Sequence, residues 1–301
     1  MKINFAPFVP IFAVIVSACG NLQNLKPAEV PQPVKAYPAA LSSQRPPSVV
    51  SPSAIEIKNR SIFLKQTAGG SVAVGLLFGP IGVLANVANI ERISKELAAN
   101  SKGSSLLQID AIEEAAEAWS EKPIQDNRNS LHLRPYVVLY PDDGRKSITI
   151  IGGVYVTSSH ALEDGRVWNA DYHYVLPTVR GFDVLERPME EGQLLSFKDE
   201  LRDGFRQIRT ELQRDLSSTQ VDRRVALIWA EPLKASVLGF AGFTSGDVET
   251  DSSGKLVIRT NIDNWGGTVG AALRDTPHQV WIFSRATQYR FDADPQERKA
   301  Q

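Results

Sequence analysis

From residue 131 onward, apolar and polar side chains alternate with a period of two. Segments 132–140, 146–158 and 166–176 read as three successive strands. In the third, Trp168, Ala170, Tyr172, Tyr174 and Leu176 share one face. Asn169, Asp171 and His173 share the other, which is expected to meet water. Pro141-Asp142-Asp143-Gly144 and Glu163-Asp164-Gly165 carry turn chemistry between the strands, so the three form an antiparallel meander. Gly152-Gly153 inside the second strand signals a bulge or a close backbone approach. Further strands are expected at 223–231, 246–250, 255–261 and 280–291, with Asp251-Ser252-Ser253-Gly254 turning the middle pair into a hairpin.

The period changes to 3.6 over 195–217. Phe197, Leu201, Phe205, Ile208 and Leu212 form one apolar stripe, which predicts a long amphipathic helix. Arg202, Arg206, Arg209 and Arg214 interleave with Asp199, Glu200, Asp203 and Glu211. This reads as a solvated face laced with ion pairs. A shorter helix is expected at 109–119, with Glu113, Glu114 and Glu117 as a solubilising acidic side.

Upstream, residues 55–65 read as a first strand. Residues 71–90 then contain no charged side chain. Ser71, Gly75 and Gly79 fall four apart, a spacing that lets two helices approach closely. Pro80 and Gly82 interrupt that row, and Asn86 and Asn89 would need partners in hydrocarbon. Three readings stay open: a helix packed on the domain, a segment touching the membrane, or an oligomer contact. Residues 20–54 contain seven prolines from Pro27 to Pro52, which predicts an extended tether.

The N-terminus has one basic side chain, Lys2, then an apolar run broken only by Asn4 and Ser17. The run is too short for a membrane span, which takes about 20 apolar residues. It fits a secretory signal. It ends in Val16-Ser17-Ala18-Cys19, which resembles the lipobox of bacterial lipoproteins, and Cys19 is the only cysteine in the chain. The resemblance implies cleavage before Cys19, lipid attachment to its sulfur, and anchoring by two or three acyl chains. Gly20 in place of Asp implies the outer membrane, facing the periplasm; the inner-membrane outer leaflet and the cell surface remain alternatives. An ordinary signal peptide is the simpler reading of the same residues.

Composition narrows function more than it identifies it. The formal charge of −1 lacks the basic excess of a nucleic-acid binder. With Cys19 lipidated, no thiol remains for a redox site. His132, His160, His173 and His278 show no paired-histidine helix motif, so neither a metal nor a cofactor is expected. There is no GxSxG elbow. Gly266-Gly267-Thr268-Val269-Gly270 lacks the phosphate-loop lysine and reads as a tight turn. Asp171 and His173 are the polar pair best placed for proton transfer. Trp265 and Tyr172 are candidate ligand or partner contacts.

These readings combine into an α+β lipoprotein. A signal at 1–18 precedes a tether at 19–54, a helical glycine-rich segment at 55–122, an α+β domain at 123–292 and a polar tail at 293–301. The α+β domain is a mainly antiparallel sheet packed by one long helix. The expected role is a non-enzymatic accessory or structural subunit of an envelope assembly, with an envelope protein or a second copy as partner. A cell-wall or lipid ligand-binding module, and a hydrolase using Asp171 and His173, are the alternatives.

Overall fold

The computed structural model describes residues 30–46, 54–57, 61–65, 92, 95, 96, 99, 103–127, 130–142, 145–162, 165, 167–217, 224–229, 243–250, 252–260, 278–288 and 290–292. Their frame is one mixed sheet, mainly antiparallel, crossed by a long helix, so the α+β class holds. After β1 (Ala39–Leu41), β2 (Ala54–Ile57) and β3 (Ile62–Lys65), the meander at its centre consists of β4 (Leu131–Pro141), β5 (Ser147–Ala161) and β6 (Val167–Val175). β4 pairs antiparallel with β5 over its whole length, and β5 with β6. Of the turn residues, Asp143, Gly144, Glu163 and Asp164 lie outside the described residues, Pro141 ends β4, and Arg145 takes a positive φ of 49°. Asp142 accepts from Lys146 N–H at 2.7 Å and Ser147 Oγ at 2.9 Å, and Gly165 takes φ +81°.

Both ends of the chain extend this meander. β1 (Ala39–Leu41) and β3 (Ile62–Lys65) lie parallel to β4 along its free edge, and β2 (Ala54–Ile57) pairs with β3. A short strand, β7 (Arg180–Gly181), pairs with the start of β5. On the other side β11 (His278–Phe283) lies parallel to β6. It is followed outward by β10 (Leu256–Thr260), β9 (Phe243–Thr250), β8 (Arg224–Trp229) and β12 (Arg290–Asp292). The strand expected over 280–291 is therefore two elements. A 3-10 turn at Ala286–Gln288 separates them, pinned by Gln288 Nε2 donating to Leu176 O at 2.7 Å.

The tether expected through residue 54 is corrected over 30–46. Gln32–Lys35 is a single helical turn, α1, with Pro33 in second position, where a missing N–H costs nothing. β1 follows it onto β4. Val30, Val34 and Leu41 are buried in the main core. The prolines punctuate a folded segment, because the apolar side chains between them find a sheet edge to pack on. Likewise β2 and β3 join the same sheet, and β3 and the helix α2 (Ala111–Trp119) the same core, as the strands after 123.

The long helix, α3 (Glu191–Ser217), lays its apolar stripe on one face of the sheet. Its closest approach is built from glycines. A Cβ at Gly204 would stand 2.6 Å from the Tyr174 ring, and one at Gly152 would stand 3.1 Å from Leu201. α2 packs beside α3, started by Asp110 accepting from Ile112 N–H at 2.8 Å. Trp119 Nε1 donates to Phe205 O at 2.8 Å. The acidic side of α2 is not merely solvated. Glu114 is buried and pairs with Lys198 and Arg202 of α3, and Arg202 also holds Glu117. Among the described residues, no helix is long and apolar enough to cross a membrane.

The glycine pair marks a close approach, and the register irregularity of β5 lies further on, between Thr157 and Ala161. At Gly153 an added Cβ would come within 2.2 Å of the Tyr136 ring. Gly153→Ala is expected to destabilise the protein by about 1–3 kcal/mol through overpacking, with Gly152→Ala costing less because Leu201 can move. Urea denaturation of the two variants beside the parent measures this. Equal stability of all three would refute the packing argument.

Candidate functional site

Residues directly opposite one another across four strands form a row: Tyr136 on β4, Gly153 on β5, His173 on β6 and Trp281 on β11. All point away from α3. The gap at Gly153 lets the Tyr136 ring cross β5 and reach β6. There Tyr136 Oη donates to Asp171 Oδ1 at 2.5 Å and lies 2.9 Å from His173 Nε2. His173 Nε2 is 3.3 Å from Asp171 Oδ2. Trp281 stacks on the imidazole at 4.0 Å with the planes 13° apart.

This face is not the water-facing surface expected for Asp171 and His173. Asp171 is 1% exposed and His173 5%. Phe63, Val138, Ile151, Tyr155, Val175, Leu256, Ile258 and Phe283 surround them as a second apolar cluster. The central strands are thus buried on both sides, and a two-residue polar period here marks an internal polar network. Proton inventory fixes its tautomer. Tyr136 has one proton and gives it to Asp171, so its oxygen accepts from His173, and Nε2 carries the N–H. His173 Nδ1 is buried and has no hydrogen-bond partner among the described residues. Burial, reinforced by the Asp171 carboxylate, pushes the Tyr136 hydroxyl well above its ordinary pKa. The arrangement holds a proton between a phenol, a carboxylate and an imidazole; it does not present a nucleophile.

On the α3 side a second network lies in the next row. Tyr172 on β6 and Arg259 on β10 flank Val280 on β11 and converge on one acid. Tyr172 Oη donates to Asp215 Oδ2 at 2.9 Å, and Arg259 Nε to Asp215 Oδ1 at 2.7 Å. Arg259 Nη2 donates to Glu211 Oε2 at 2.8 Å, and Lys255 Nζ to Glu211 Oε1 at 3.0 Å. His278 Nε2 stands 3.9 Å from Asp215. Tyr172, a candidate ligand or partner contact from the sequence, is fully buried. Alternation turned it inward, under α3. Sequence reasoning missed Arg259, Glu211 and Asp215. Their signal was present: Glu211 and Asp215 continue the stripe of Ile208 and Leu212 at helical spacing, and Arg259 shares the inward face with Val257.

An open cleft of about 410 Å³ lies where β7 meets the start of α3. Arg180, Asp183, Arg187, Met189 and Glu190 are among its lining, and Arg187 pairs with Asp183. Arg180 stacks over Phe197 and sits 3.4 Å from Glu200. Among the described residues no three of His, Cys, Asp and Glu cluster as metal ligands. Cys19, Ser71, Gly75, Gly79 and Trp265 lie outside the described residues. Family models, curated proteins and solved structures contain no match to this chain.

Two pH dependences follow. Burial raises the Asp215 pKa, but the adjacent His278 ring and Arg259, which is charged and hydrogen-bonded to it, more than offset it, and the carboxyl lies below its ordinary value. A depressed folded pKa contributes stability above the unfolded value, about 3.9, that is lost as pH falls through the folded one. Stability in urea should therefore drop below about pH 4. Asp215→Asn should weaken the fold by about 3–5 kcal/mol at neutral pH and flatten that acid limb. An unchanged acid limb would show that Asp215 does not titrate with folding. Tyr136 and Tyr172 are shifted the other way, first by burial and then by Asp171 and Asp215 respectively. Their stabilisation is present below the unfolded pKa, about 10, and is lost as pH rises through the folded one. Their phenolate absorbance should appear only together with unfolding; ionisation in the intact fold would contradict the networks.

Proposed function

We propose that this chain is a lipid-anchored, periplasm-facing envelope protein, held at the outer membrane through Cys19, that serves as a non-enzymatic accessory or structural subunit of an envelope assembly. The observation that carries this reading is Val16-Ser17-Ala18-Cys19, with its single cysteine, at the end of the apolar N-terminal run. Two or more acyl chains at that residue would make the attachment stable, where one alone is marginal.

The accessory role is supported by how the interior polar groups are used. Asp171 and His173 are tied to Tyr136 beneath Trp281, and Glu211 and Asp215 are tied to Arg259. Both networks join strands, or join helix to sheet. The hydrolase alternative draws on the 3.3 Å approach of His173 to Asp171. It is weaker because the hydroxyl beside His173 belongs to Tyr136, whose burial opposes ionisation.

The Cys19→Ala chain should fail to incorporate labelled palmitate and should leave the membrane fraction, while the parent partitions into detergent. A parent that stays aqueous and unlabelled would end the anchor reading. Affinity purification of the detergent-extracted parent should recover a particle larger than the monomer with defined envelope proteins. A clean monomer would end the subunit reading.

A further inference from the structure

The cleft at the start of α3 holds polar groups that the fold leaves unused. Arg180 lines it, and its side chain is 10% exposed. The guanidinium lies over the Phe197 ring, 5.3 Å from the centroid. Its Nε and Nη2, neighbouring donors on one edge, are buried and have no hydrogen-bond partner among the described residues. Glu200 Oε1 stands 3.4 Å from Nη2, near enough to balance charge, but that oxygen already accepts the Thr178 hydroxyl at 2.7 Å. Two buried donors without partners cost free energy that an apolar side chain in the same place would not. Such an edge matches two oxygens of one planar group, as in a carboxylate.

The rest of the lining indicates what else the ligand carries. Asp183 is drawn against β7: its Oδ1 occupies the space a Cβ at Gly181 would need, and Arg187 pairs with it. Glu190 is exposed where α3 begins, and its carbonyl accepts from Leu194 N–H at 2.9 Å. Val184, Pro188 and Met189 add apolar surface, and Met189 N–H donates to Ser105 Oγ at 3.1 Å, which ties that wall to the body. Two arginines and two carboxylates therefore share one lining, with the Glu200 carboxylate close behind Arg180. A simple anion would gain from Arg180 but be opposed by Asp183, Glu190 and Glu200. A zwitterion meets both signs, its carboxylate towards the arginine and its ammonium towards the acids. The space, about 410 Å³, falls within the range of small-molecule pockets, roughly 300–1,000 Å³.

We infer that this cleft binds a free amino acid with an apolar side chain. Its carboxylate lies on the Nε–Nη2 edge of Arg180, its ammonium beside Glu190 and Asp183, and its side chain against Val184 and Met189. The site depends neither on the anchor at Cys19 nor on the subunit role proposed above, so either can fail without the other.

Equilibrium dialysis of the full chain tests this. The probe is a mixture of valine, leucine, isoleucine and methionine, together with the analogues of each that lack the ammonium or lack the carboxylate. Every compound is present at the protein's own concentration. Mass spectrometry of the two compartments should find one or more of the amino acids enriched on the protein side, and neither series of analogues. Enrichment of nothing, or equal enrichment of an amino acid and its carboxylate analogue, overturns the proposal. Arg180→Lys keeps the charge and loses the paired donors. It should lower retention at least about tenfold, the equivalent of one charge-assisted hydrogen bond. Glu190→Gln alters an exposed side chain, and should lower retention several-fold with no change in the urea midpoint. Unchanged retention in either folded variant places the ligand elsewhere and overturns the site. If Arg180→Lys does not fold, Glu190→Gln and the analogue comparison decide the matter.

Discussion

Burial of the central strands on both faces is the constraint that organises this protein. One face of β4, β5, β6 and β11 takes the apolar stripe of α3, and the other holds a second apolar cluster around Trp281 and Phe283. Polar side chains on such strands cannot reach bulk water, so each must find a partner inside or carry the cost of an unmade bond. Tyr136, Asp171 and His173 meet that requirement on one face, and Tyr172, Arg259, Glu211 and Asp215 on the other.

The two networks differ in what they join. The first links β4 to β6 across a glycine, and its reach depends on a missing side chain at Gly153. The second fastens the last turns of α3 to β6 and β10. An arginine held by two carboxylates replaces the apolar contact that Glu211 and Asp215 would otherwise leave unmade. A buried ion group of this kind adds little stability relative to a well-packed apolar one, but losing a single member leaves a stranded charge. It therefore specifies where α3 lies on the sheet more than how tightly.

The same economy of polar groups bears on function. Histidine, aspartate and tyrosine within hydrogen-bond distance resemble catalytic equipment when seen as a list of residues. They are buried under Trp281 and bonded to one another, and so tie β4 to β6. Among the described residues, two features lie at opposite ends of the sheet. One is where the chain enters near Tyr37, and the other is the charged cleft at the start of α3.

By itself the sequence determined the local elements. Period-two alternation and turn residues located β4 to β6 and the β9–β10 hairpin, and the 3.6-residue stripe located α3. These patterns arise within one element, from backbone geometry and one buried face. The apolar N-terminal run and its resemblance to a lipobox at Val16-Ser17-Ala18-Cys19 are likewise read from the sequence and lie outside the described residues. Only the tertiary structure decided which residues the second face of the sheet would bury, because an alternating strand looks the same whether its polar side meets water or another polar group. It decided, too, that the proline-rich stretch at 30–46 folds onto β4, since the edge that receives it is made by residues about ninety positions later. The salt bridges from α3 to α2 and to β10 belong to the same class: each partner reads as a solvated charge until packing brings the other beside it.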